Sequence, residues 1–210
     1  MIQLERLFEE YTSEKPLKVE ELPSSGSNRR YFRLYGKNRT LIGAKGTCVE
    51  ENIAFWTIAD HFYKMGLPVP EVYSKSDDQY YYLQKDLGDD SLFKAVSEGR
   101  ESGNYNRKEV ELLCKTIKML PALQFKGAEG LDFNICYPQP EFDRRMISFD
   151  LNYFKYCFLK ATGIEFNEIQ LEDEFSKMSD ILMNCNSNNF LYRDFQARNV
   201  MLVDGNPYFI

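Results

Sequence analysis

The chain has 210 residues, of which 43% are hydrophobic and 15% aromatic, and it contains no low-complexity tract. This length suffices for one large or two small domains, and the composition is typical of an ordered globular protein rather than a disordered one. The formal net charge of -6, without a Lys/Arg run, excludes the basic surface that nonspecific nucleic-acid binding requires, so no nucleic-acid partner is expected.

The cysteine and histidine content limits the kinds of metal or catalytic site that the chain could form. Five cysteines are widely spaced without a CxxC pair, which predicts buried thiols in a reducing compartment, and His61 is the single histidine. A zinc site or a histidine-based triad is therefore not expected. The amino terminus is amphipathic and charged, without the continuous apolar segment of a signal peptide or membrane span. We expect a cytoplasmic protein with no membrane partner.

The first part of the chain alternates between helical and strand periods. The predicted elements are a helix over 3–13, a hairpin of 31–36 and 40–44, a helix over 50–66, and strands over 68–75 and 79–84. A GKN turn separates the strands of the hairpin, and Gly66 ends the second helix. Strands, one helix and further strands in this order predict a small α+β domain.

A polar joint, KDLGDDS (85–91), separates this part from a mainly helical one. Asp90 or Ser91 is placed to cap a helix that starts at Leu92. Further helices are predicted over 107–125, 141–160 and 168–186, and the apolar stripe of the last is predicted to face the core. The domain boundary is placed near 86–90, which gives a strand-rich domain over 1–86 and a helical domain over 87–210.

The chemistry lies in the last stretch, NNFLYRDFQARNVMLVDGNPYFI. Arg193 and Asp194, then four residues and Asn199, have the spacing of the protein-kinase catalytic loop HRDxxxxN, with Tyr192 in the place of His. Phosphoryl transfer requires a carboxylate that accepts the proton of the attacking hydroxyl and an amide oxygen that holds Mg²⁺. We predict Asp194 as the catalytic base and Asn199 as the metal ligand, and we assign Arg193 no catalytic role.

The spacing alone leaves an alternative open, because Asp and Asn in a loop are also common turn formers. The loop follows a long predicted helix and opens a hairpin whose turn is DGN (204–206). It also lies downstream of a strand-rich domain and a polar joint, as the two-lobed kinase arrangement requires. This context favours the catalytic interpretation.

Several segments resemble the aminoglycoside phosphotransferase and choline kinase superfamily, namely SSGSNRRYFRL, the EENIAFW helix, GLPVPEVY, YYYLQKDLGDDSLF and YRDFQARNVML. More narrowly they are similar to bacterial kinases that phosphorylate N-acetylmuramate and N-acetylglucosamine at the anomeric hydroxyl. The resemblance runs from about residue 20 to residue 210, and the loop and the LG-containing joint are its specific parts. It implies an α+β, protein-kinase-like, two-lobed fold with a small antiparallel-sheet N-lobe, one helix in that lobe, and a mainly helical C-lobe.

The resemblance also implies ATP and Mg²⁺ as cofactors and a hinge in which the backbone between Gln84 and Leu87 meets the adenine. The expected nucleotide contacts are Ser25, Gly26, Ser27, Lys45, Glu51, Gln84, Lys85 and Leu87. The phosphate-covering segment carries one glycine where protein kinases have GxGxxG, and a plain hairpin turn explains it about as well.

The basic residues of the predicted strands also have two interpretations. Lys45 ends a strand and Glu51 opens the next helix, so the two could pair and orient the phosphates as in kinases, or Lys45 could be a surface lysine. Arg30 and Arg33 share a strand, with Arg29 nearby, and at least one of the three could face phosphates or an acidic substrate, although all could lie in solvent.

By the same resemblance, a second metal-binding Asp is expected at the end of the hairpin, where related chains read like PYFIDF. The sequence reaches Ile210, one residue before that position. We therefore expect an incomplete C-lobe and little or no kinase activity from these 210 residues alone.

The resulting hypothesis is an ATP-dependent phosphotransferase acting on a small-molecule hydroxyl, with a sugar or amino sugar favoured by RRYFRL and the loop. The alternative is a noncatalytic, pseudokinase-like protein that binds nucleotide or a partner. Asp194 and Asn199 favour the first, and the missing second ligand favours the alternative for this chain.

Overall fold

The computed structural model describes residues 2–23, 28–185 and 188–210. The strands are β1 (Lys18–Glu21), β2 (Arg30–Tyr35), β3 (Thr40–Lys45), β4 (Val72–Lys75), β5 (Tyr81–Lys85), β6 (Val200–Val203) and β7 (Asn206–Phe209). The α-helices are α1 (Ile2–Thr12), α2 (Val49–Lys64), α3 (Leu92–Ala95), α4 (Ser97–Ser102), α5 (Arg107–Pro121), α6 (Arg144–Phe154) and α7 (Glu168–Met183). α5 and α6 continue into π-helical turns, Ala122–Lys126 and Lys155–Leu159, and 3-10 turns cover Phe133–Ile135 and Ala197–Asn199.

The first five strands form one antiparallel sheet in the order β1-β2-β3-β5-β4. The predicted hairpin is confirmed, with β2 and β3 paired in register from Arg30–Lys45 to Tyr35–Thr40. β1, which reads KVEE, was not predicted because it lacks the apolar alternation of a strand. It is an edge strand paired with β2, and its charged side chains suit an exposed edge.

Apolar residues cover both faces of the sheet. On one face, α1 packs through Leu4, Leu7 and Phe8 against residues of β2, β3 and β5. On the other face, Trp56 of α2 packs with Ala44 of β3 and Tyr82 of β5. The sheet therefore contacts two helices, whereas the predicted N-lobe contains one, because the amphipathic α1 folds back onto it.

A third core cluster joins the sheet region to the rest of the chain. Phe62 of α2, Leu67 and Val69 pack with Leu92 of α3, Leu123 and the two ribbon residues Val200 and Phe209. Segments far apart in sequence thus share one apolar core, which fixes the terminal β6–β7 ribbon against α2.

The helices begin where side chains satisfy the free amides of the first turn. Ser91, rather than Asp90, caps α3 by accepting a hydrogen bond from Lys94 N (3.3 Å). Asn106 caps α5 in a capping box with Glu109. The local sequence therefore sets these helix starts.

Two predictions about buried residues are wrong. The stripe of α7 does not face a core, since Met178 is 49% exposed and Ser179 is the buried residue of that helix. The cysteines are free, and Cys114, Cys157 and Cys185 are exposed, with Cys48 and Cys136 partly buried. Helical periodicity locates an apolar face but does not supply the element that would cover it.

Candidate active site

The β6–β7 ribbon is fixed by backbone hydrogen bonds to two other segments. Phe209 N donates to Pro68 O (2.8 Å), in the segment after α2. Leu202 N donates to Asp90 O (2.7 Å), in the joint after β5. The predicted hairpin is confirmed, and its position is set by both neighbours rather than by its own pairing alone.

The loop before the ribbon brings Asp194 and Asn199 together. Asp194 is exposed and has a left-handed backbone conformation (φ +52°), which a non-glycine residue keeps only where its surroundings hold it. Asn199 Nδ2 donates a 3.0 Å hydrogen bond to Asp194 O. Because the amide nitrogen is used in this way, the amide oxygen of Asn199 is the end that can bind a cation.

Tyr192 anchors this loop at the position where protein kinases have His. Its ring meets Phe195 and Phe209 edge-on, with centroids 6.0 and 5.8 Å apart. Its hydroxyl donates to Ile210 O (3.0 Å). Burial, with a smaller effect of the Asp194 charge, raises the pKa of Tyr192 to about 12. The phenol therefore keeps its proton and this hydrogen bond at neutral pH.

Arg193 ties the loop to α6. Its Nη2 donates to both carboxylate oxygens of Asp150, at 2.6 and 2.8 Å. The guanidinium also lies 5.7 Å from the centre of the Phe142 ring. Arg193 thus shapes the loop, consistent with the absence of a predicted catalytic role.

The end of β5 and the start of the joint contain the residues that were predicted to face the adenine, Gln84 to Leu87. Gln84 and Leu87 are buried, and the Lys85 ammonium lies 5.6 Å from the centre of the Tyr208 ring. Among the described residues, nothing donates a hydrogen bond to the Gln84 amide oxygen. An unpaired buried acceptor of this kind costs about 1–3 kcal/mol. Gly88 then turns the chain with φ +83°.

The two arginines of β2 have different environments. Arg30 is exposed and pairs with Glu21 of β1 (2.7 Å). Arg33 is buried, and it pairs with Asp86 and Asp89 of the joint, each at 2.8 Å. Burial acts to lower the pKa of Arg33, but hydrogen bonds to Asp89 and Asp86 outweigh it and raise the pKa, so the guanidinium stays charged.

The structure does not bring Lys45 and Glu51 together. Side chains alternate along β3, so Lys45 shares a face with Leu41, which packs on α1. The Lys45 ammonium lies 5.8 Å from the centre of the Tyr81 ring. Glu51 lies on α2, which covers the other face, and its carboxylate is 3.2 Å from Arg29 Nη2. The cation beside Glu51 is therefore Arg29, which the sequence analysis named as one of three possible phosphate contacts but did not pair with Glu51.

Arg29 is held between α2 and the sheet. Its Nη2 donates to Glu51 O (3.1 Å), and its guanidinium lies 5.0 Å from the centre of the Phe55 ring. Burial acts to lower the pKa of Arg29, and the neighbouring Tyr82, Tyr31 and Glu51 outweigh it and raise the pKa. The alternation of β3 was the available signal against Lys45, but no feature of the sequence singled out Arg29.

The other predicted phosphate contacts, Ser25, Gly26 and Ser27, lie outside the described residues. Over 2–23, 28–185 and 188–210, no group of three or more His, Cys, Asp and Glu side chains could hold a metal ion by itself. Magnesium commonly takes one or two protein ligands and completes its shell with water and phosphate oxygens. The Asn199 amide oxygen fits such a partial site.

A small antiparallel sheet with helices on both faces, a joint, a helical region and an Asp/Asn loop before a β-ribbon together match the protein-kinase-like fold. Comparison with solved structures gives the same class. A thermostable variant of aminoglycoside phosphotransferase APH(4)-Ia superposes with a TM-score of 0.61 at 13% identity, covering 98% of this chain and 70% of that one. Its ternary complex with ADP and hygromycin B gives a TM-score of 0.63 at 14% identity, covering 99% of this chain and 70% of that one.

A putative fructosamine-3-kinase from Haemophilus somnus 129PT has a TM-score of 0.57 at 16% identity, with 98% of this chain and 70% of that one covered. Among characterised sequences, the N-acetylmuramate/N-acetylglucosamine kinase of Pseudomonas aeruginosa PAO1 is 24% identical over 197 residues. That match covers 91% of this chain and 54% of the relative, so the chain spans about half of its length. No protein-family model matches the sequence.

These likenesses confirm the predicted α+β, protein-kinase-like fold, and the proteins that share it are named as small-molecule phosphotransferases and kinases. Among the described residues, no helix has the length and apolar character needed to cross a bilayer.

Proposed function

We propose that this protein is an ATP-dependent phosphotransferase that acts on a hydroxyl of a sugar or amino sugar. The observation that carries the proposal is the pairing of Asp194 and Asn199 in one loop, through the 3.0 Å hydrogen bond between them. The kinase-like fold supports it, as do the names of similar proteins, among them a kinase of N-acetylmuramate and N-acetylglucosamine.

In this proposal the exposed Asp194 carboxylate accepts the proton of the attacking sugar hydroxyl. The hydroxyl oxygen forms a bond to the γ-phosphorus of ATP, and the bond from that phosphorus to the bridging oxygen breaks, which releases ADP. The loop contributes orientation, because Asn199 and Tyr192 hold its backbone in place. Magnesium, when bound with ATP, would neutralise phosphate charge, with the Asn199 amide oxygen as one ligand.

The nucleotide would lie between the sheet and the ribbon. The backbone of Gln84, Lys85 and Leu87 would face the adenine, where the unpaired amide oxygen of Gln84 supplies a further hydrogen-bond acceptor. Arg29, paired with Glu51, would take the phosphate-orienting position that we predicted for Lys45. A cation held by a helix glutamate is the arrangement that phosphoryl transfer in kinases uses.

We also propose that these 210 residues alone transfer phosphate slowly. With Asp194 assigned as the base, this proposal has one assigned metal ligand in the loop, Asn199, whereas kinases hold their metal ions with an Asp and an Asn. A single ligand leaves the phosphates less well oriented. We expect a transfer rate far below the roughly 1–100 s⁻¹ of kinases.

Substitution of Asn199 with alanine tests the metal assignment. With wild type, addition of Mg²⁺ should increase the thermal stabilisation by an ATP analogue. With Asn199→Ala this increment should disappear, because ATP affinity in Mg²⁺ weakens about tenfold, or roughly 1.4 kcal/mol. The shift in melting temperature, with and without Mg²⁺, is the measurement.

Asn206→Ala is the matched control, because Asn206 also donates from Nδ2 to the carbonyl oxygen of an aspartate, Asp204, at 3.2 Å. It should retain the full Mg²⁺ increment. Equal increments in wild type and Asn199→Ala would contradict the metal assignment. Nucleotide binding without any Mg²⁺ dependence would instead favour the noncatalytic alternative.

Substitution of Arg29 with glutamine tests the phosphate assignment. We expect binding of ATP and ADP to weaken by about 10–100-fold, since hydrogen bonds to charged groups contribute roughly 1.5–3 kcal/mol. Binding of adenosine should be unchanged, because it has no phosphate. Titration calorimetry with the three ligands measures both effects.

Lys45→Gln serves as the comparison, since it removes one positive charge from the other face of the same sheet. We expect it to leave all three affinities close to wild type. If Lys45→Gln weakened ATP binding and Arg29→Gln did not, the assignment of Arg29 would be wrong.

A further inference from the structure

Arg33 makes several contacts with the segment that spans the end of β5 and the start of the joint, residues 84–89, which we call the hinge. Its Nε lies 2.8 Å from Asp86 Oδ2, and its Nη2 donates to Asp86 Oδ1 and to Gly88 O, both at 3.1 Å. Its Nη1 donates to both oxygens of Asp89, at 2.8 and 3.1 Å. Both Nη atoms thus donate hydrogen bonds to the hinge, and Nε lies within ion-pair distance of Asp86 without forming a hydrogen bond.

These contacts cross the sheet. In strand order, β3 separates β2 from β5, and Arg33, Ile42 and Gln84 lie in one row across the three strands. Adjacent strands are about 4.8 Å apart, so β2 and the end of β5 are roughly 10 Å apart. Arg33 reaches the hinge because the chain turns back at Gly88, where φ is +83°.

The pair is largely removed from water, since the side chains of Arg33 and Asp86 are 11% and 13% exposed. Burial of an ion pair carries a desolvation penalty that offsets much of its attraction, whereas removal of one partner is strongly destabilising because the other charge stays buried. Asp86 Oδ1 also accepts a hydrogen bond from Gly88 N (2.9 Å), which closes the turn on itself. The guanidinium therefore holds both the side chains and the backbone of the turn.

The hinge continues directly into the contact with the ribbon. Asp90 O accepts from Leu202 N, and Ser91 forms an isolated β-bridge with Met201. A change in the path of residues 86–89 would thus alter both the predicted adenine contacts and the position of β6, which begins directly after Asn199.

We propose that Arg33 is a positioning residue that fixes the hinge and thereby sets nucleotide affinity, an inference that rests on the proposed function. Arg33 itself does not touch the nucleotide in this proposal, because its nitrogens face the hinge. Its loss should affect the adenine end of the ligand. Adenosine and ATP should then weaken together, in contrast to the pattern expected for Arg29.

The test combines hydrogen exchange of the hinge with nucleotide binding in Arg33→Lys and Arg33→Gln. Lysine keeps the charge but cannot make the forked contacts of the guanidinium. We expect amide exchange over residues 84–91 to accelerate about tenfold, a modest part of what loss of a buried ion-pair partner costs. Adenosine and a nonhydrolysable ATP analogue should weaken by similar factors.

Arg30→Gln is the matched control, since Arg30 lies on the same strand and makes an exposed pair with Glu21. It should leave hinge exchange and both affinities unchanged. If Arg33→Gln does not fold, Asp89→Asn provides a milder change, because the Asp89 side chain is 70% exposed, and it should show a smaller effect in the same direction.

Unchanged hinge exchange in folded Arg33 variants would overturn the proposal. Faster exchange with unaltered adenosine affinity would also overturn it, because Arg33 would then stabilise the hinge without affecting nucleotide binding. Wild type that binds neither ligand would refute the proposed function, and the exchange rates would still decide whether Arg33 fixes the hinge.

Discussion

Replacement of Asp194 by asparagine is expected to lower the rate of phosphoryl transfer to a sugar by about 10²–10⁴-fold, the usual contribution of a positioned general base. The carboxylate is lost, whereas the shape of the side chain is kept. Asparagine also tolerates the left-handed conformation of this position (φ +52°). Nucleotide affinity should therefore change little. Single-turnover assays with protein in excess over γ-labelled ATP resolve slow transfer and measure the effect.

The chain offers a close control in Asp204, which is also exposed and left-handed (φ +50°) but lies in the turn of the ribbon. Asp204→Asn should transfer phosphate at the wild-type rate. A rate of Asp194→Asn within about threefold of wild type would exclude Asp194 as the base, since general-base catalysis is worth at least about 10²-fold.

Replacement of Phe209 by alanine is expected to destabilise the protein by about 3–5 kcal/mol, the cost of removing a large aromatic side chain from a packed core. Phe209 is 1% exposed and packs against Tyr192 and Phe195 as well as the cluster around Phe62. Because domains are stable by only about 5–15 kcal/mol, this loss is a large fraction of the total. Denaturant unfolding followed by circular dichroism measures it.

Phe149→Ala removes the same side chain from the surface of α6, where Phe149 is 62% exposed. Its effect should stay within about 0.5 kcal/mol. A loss below about 1 kcal/mol for Phe209→Ala would mean that the ribbon is not held by the shared core, since core truncations of this size cost at least about 3 kcal/mol. The loop that carries Asp194 would then lack its support.

The regular elements were predictable because periodicity and turn residues act locally. The β2–β3 hairpin and the helix now seen as α2 follow from alternation, from helical spacing and from Gly66 after its last turn. The ribbon follows from Asp204 and Gly205, whose left-handed conformations suit a two-residue hairpin. β1 escaped prediction because its charged sequence is stabilised by pairing with β2 and not by burial.

What depends on tertiary contacts was harder to predict. The apolar stripe of α7 has the spacing of a core helix, but Met178 is exposed in the structure. Periodicity predicts an apolar face and cannot predict whether another element covers it. Lys45 was matched to Glu51 from their closeness in sequence, although the pleat of β3 directs it to the opposite face. Arg33 was expected to face phosphates, an acidic substrate or solvent, and its actual partners, Asp86 and Asp89, lie more than fifty positions away.

In the candidate site, too, contacts within one loop were predictable and contacts between distant segments were not. Asp194 and Asn199 lie within one loop, so their closeness in sequence makes them neighbours, and the Asn199 side chain does donate to the Asp194 backbone oxygen. The cation beside Glu51 comes from the segment just before β2, and only the folded chain reveals that Arg29 lies there. Short-range motifs therefore supplied the proposed reacting groups, whereas the groups proposed to orient a nucleotide depend on the packing of α2 and the hinge.

The most direct test of the proposed function is to follow the label from γ-labelled ATP in a mixture of this protein, Mg²⁺ and candidate sugars, including N-acetylglucosamine and N-acetylmuramate. We predict slow appearance of a labelled sugar phosphate that is not formed by Asp194→Asn. Label that stays in ATP, or appears solely as inorganic phosphate, in wild type and variant alike would contradict it.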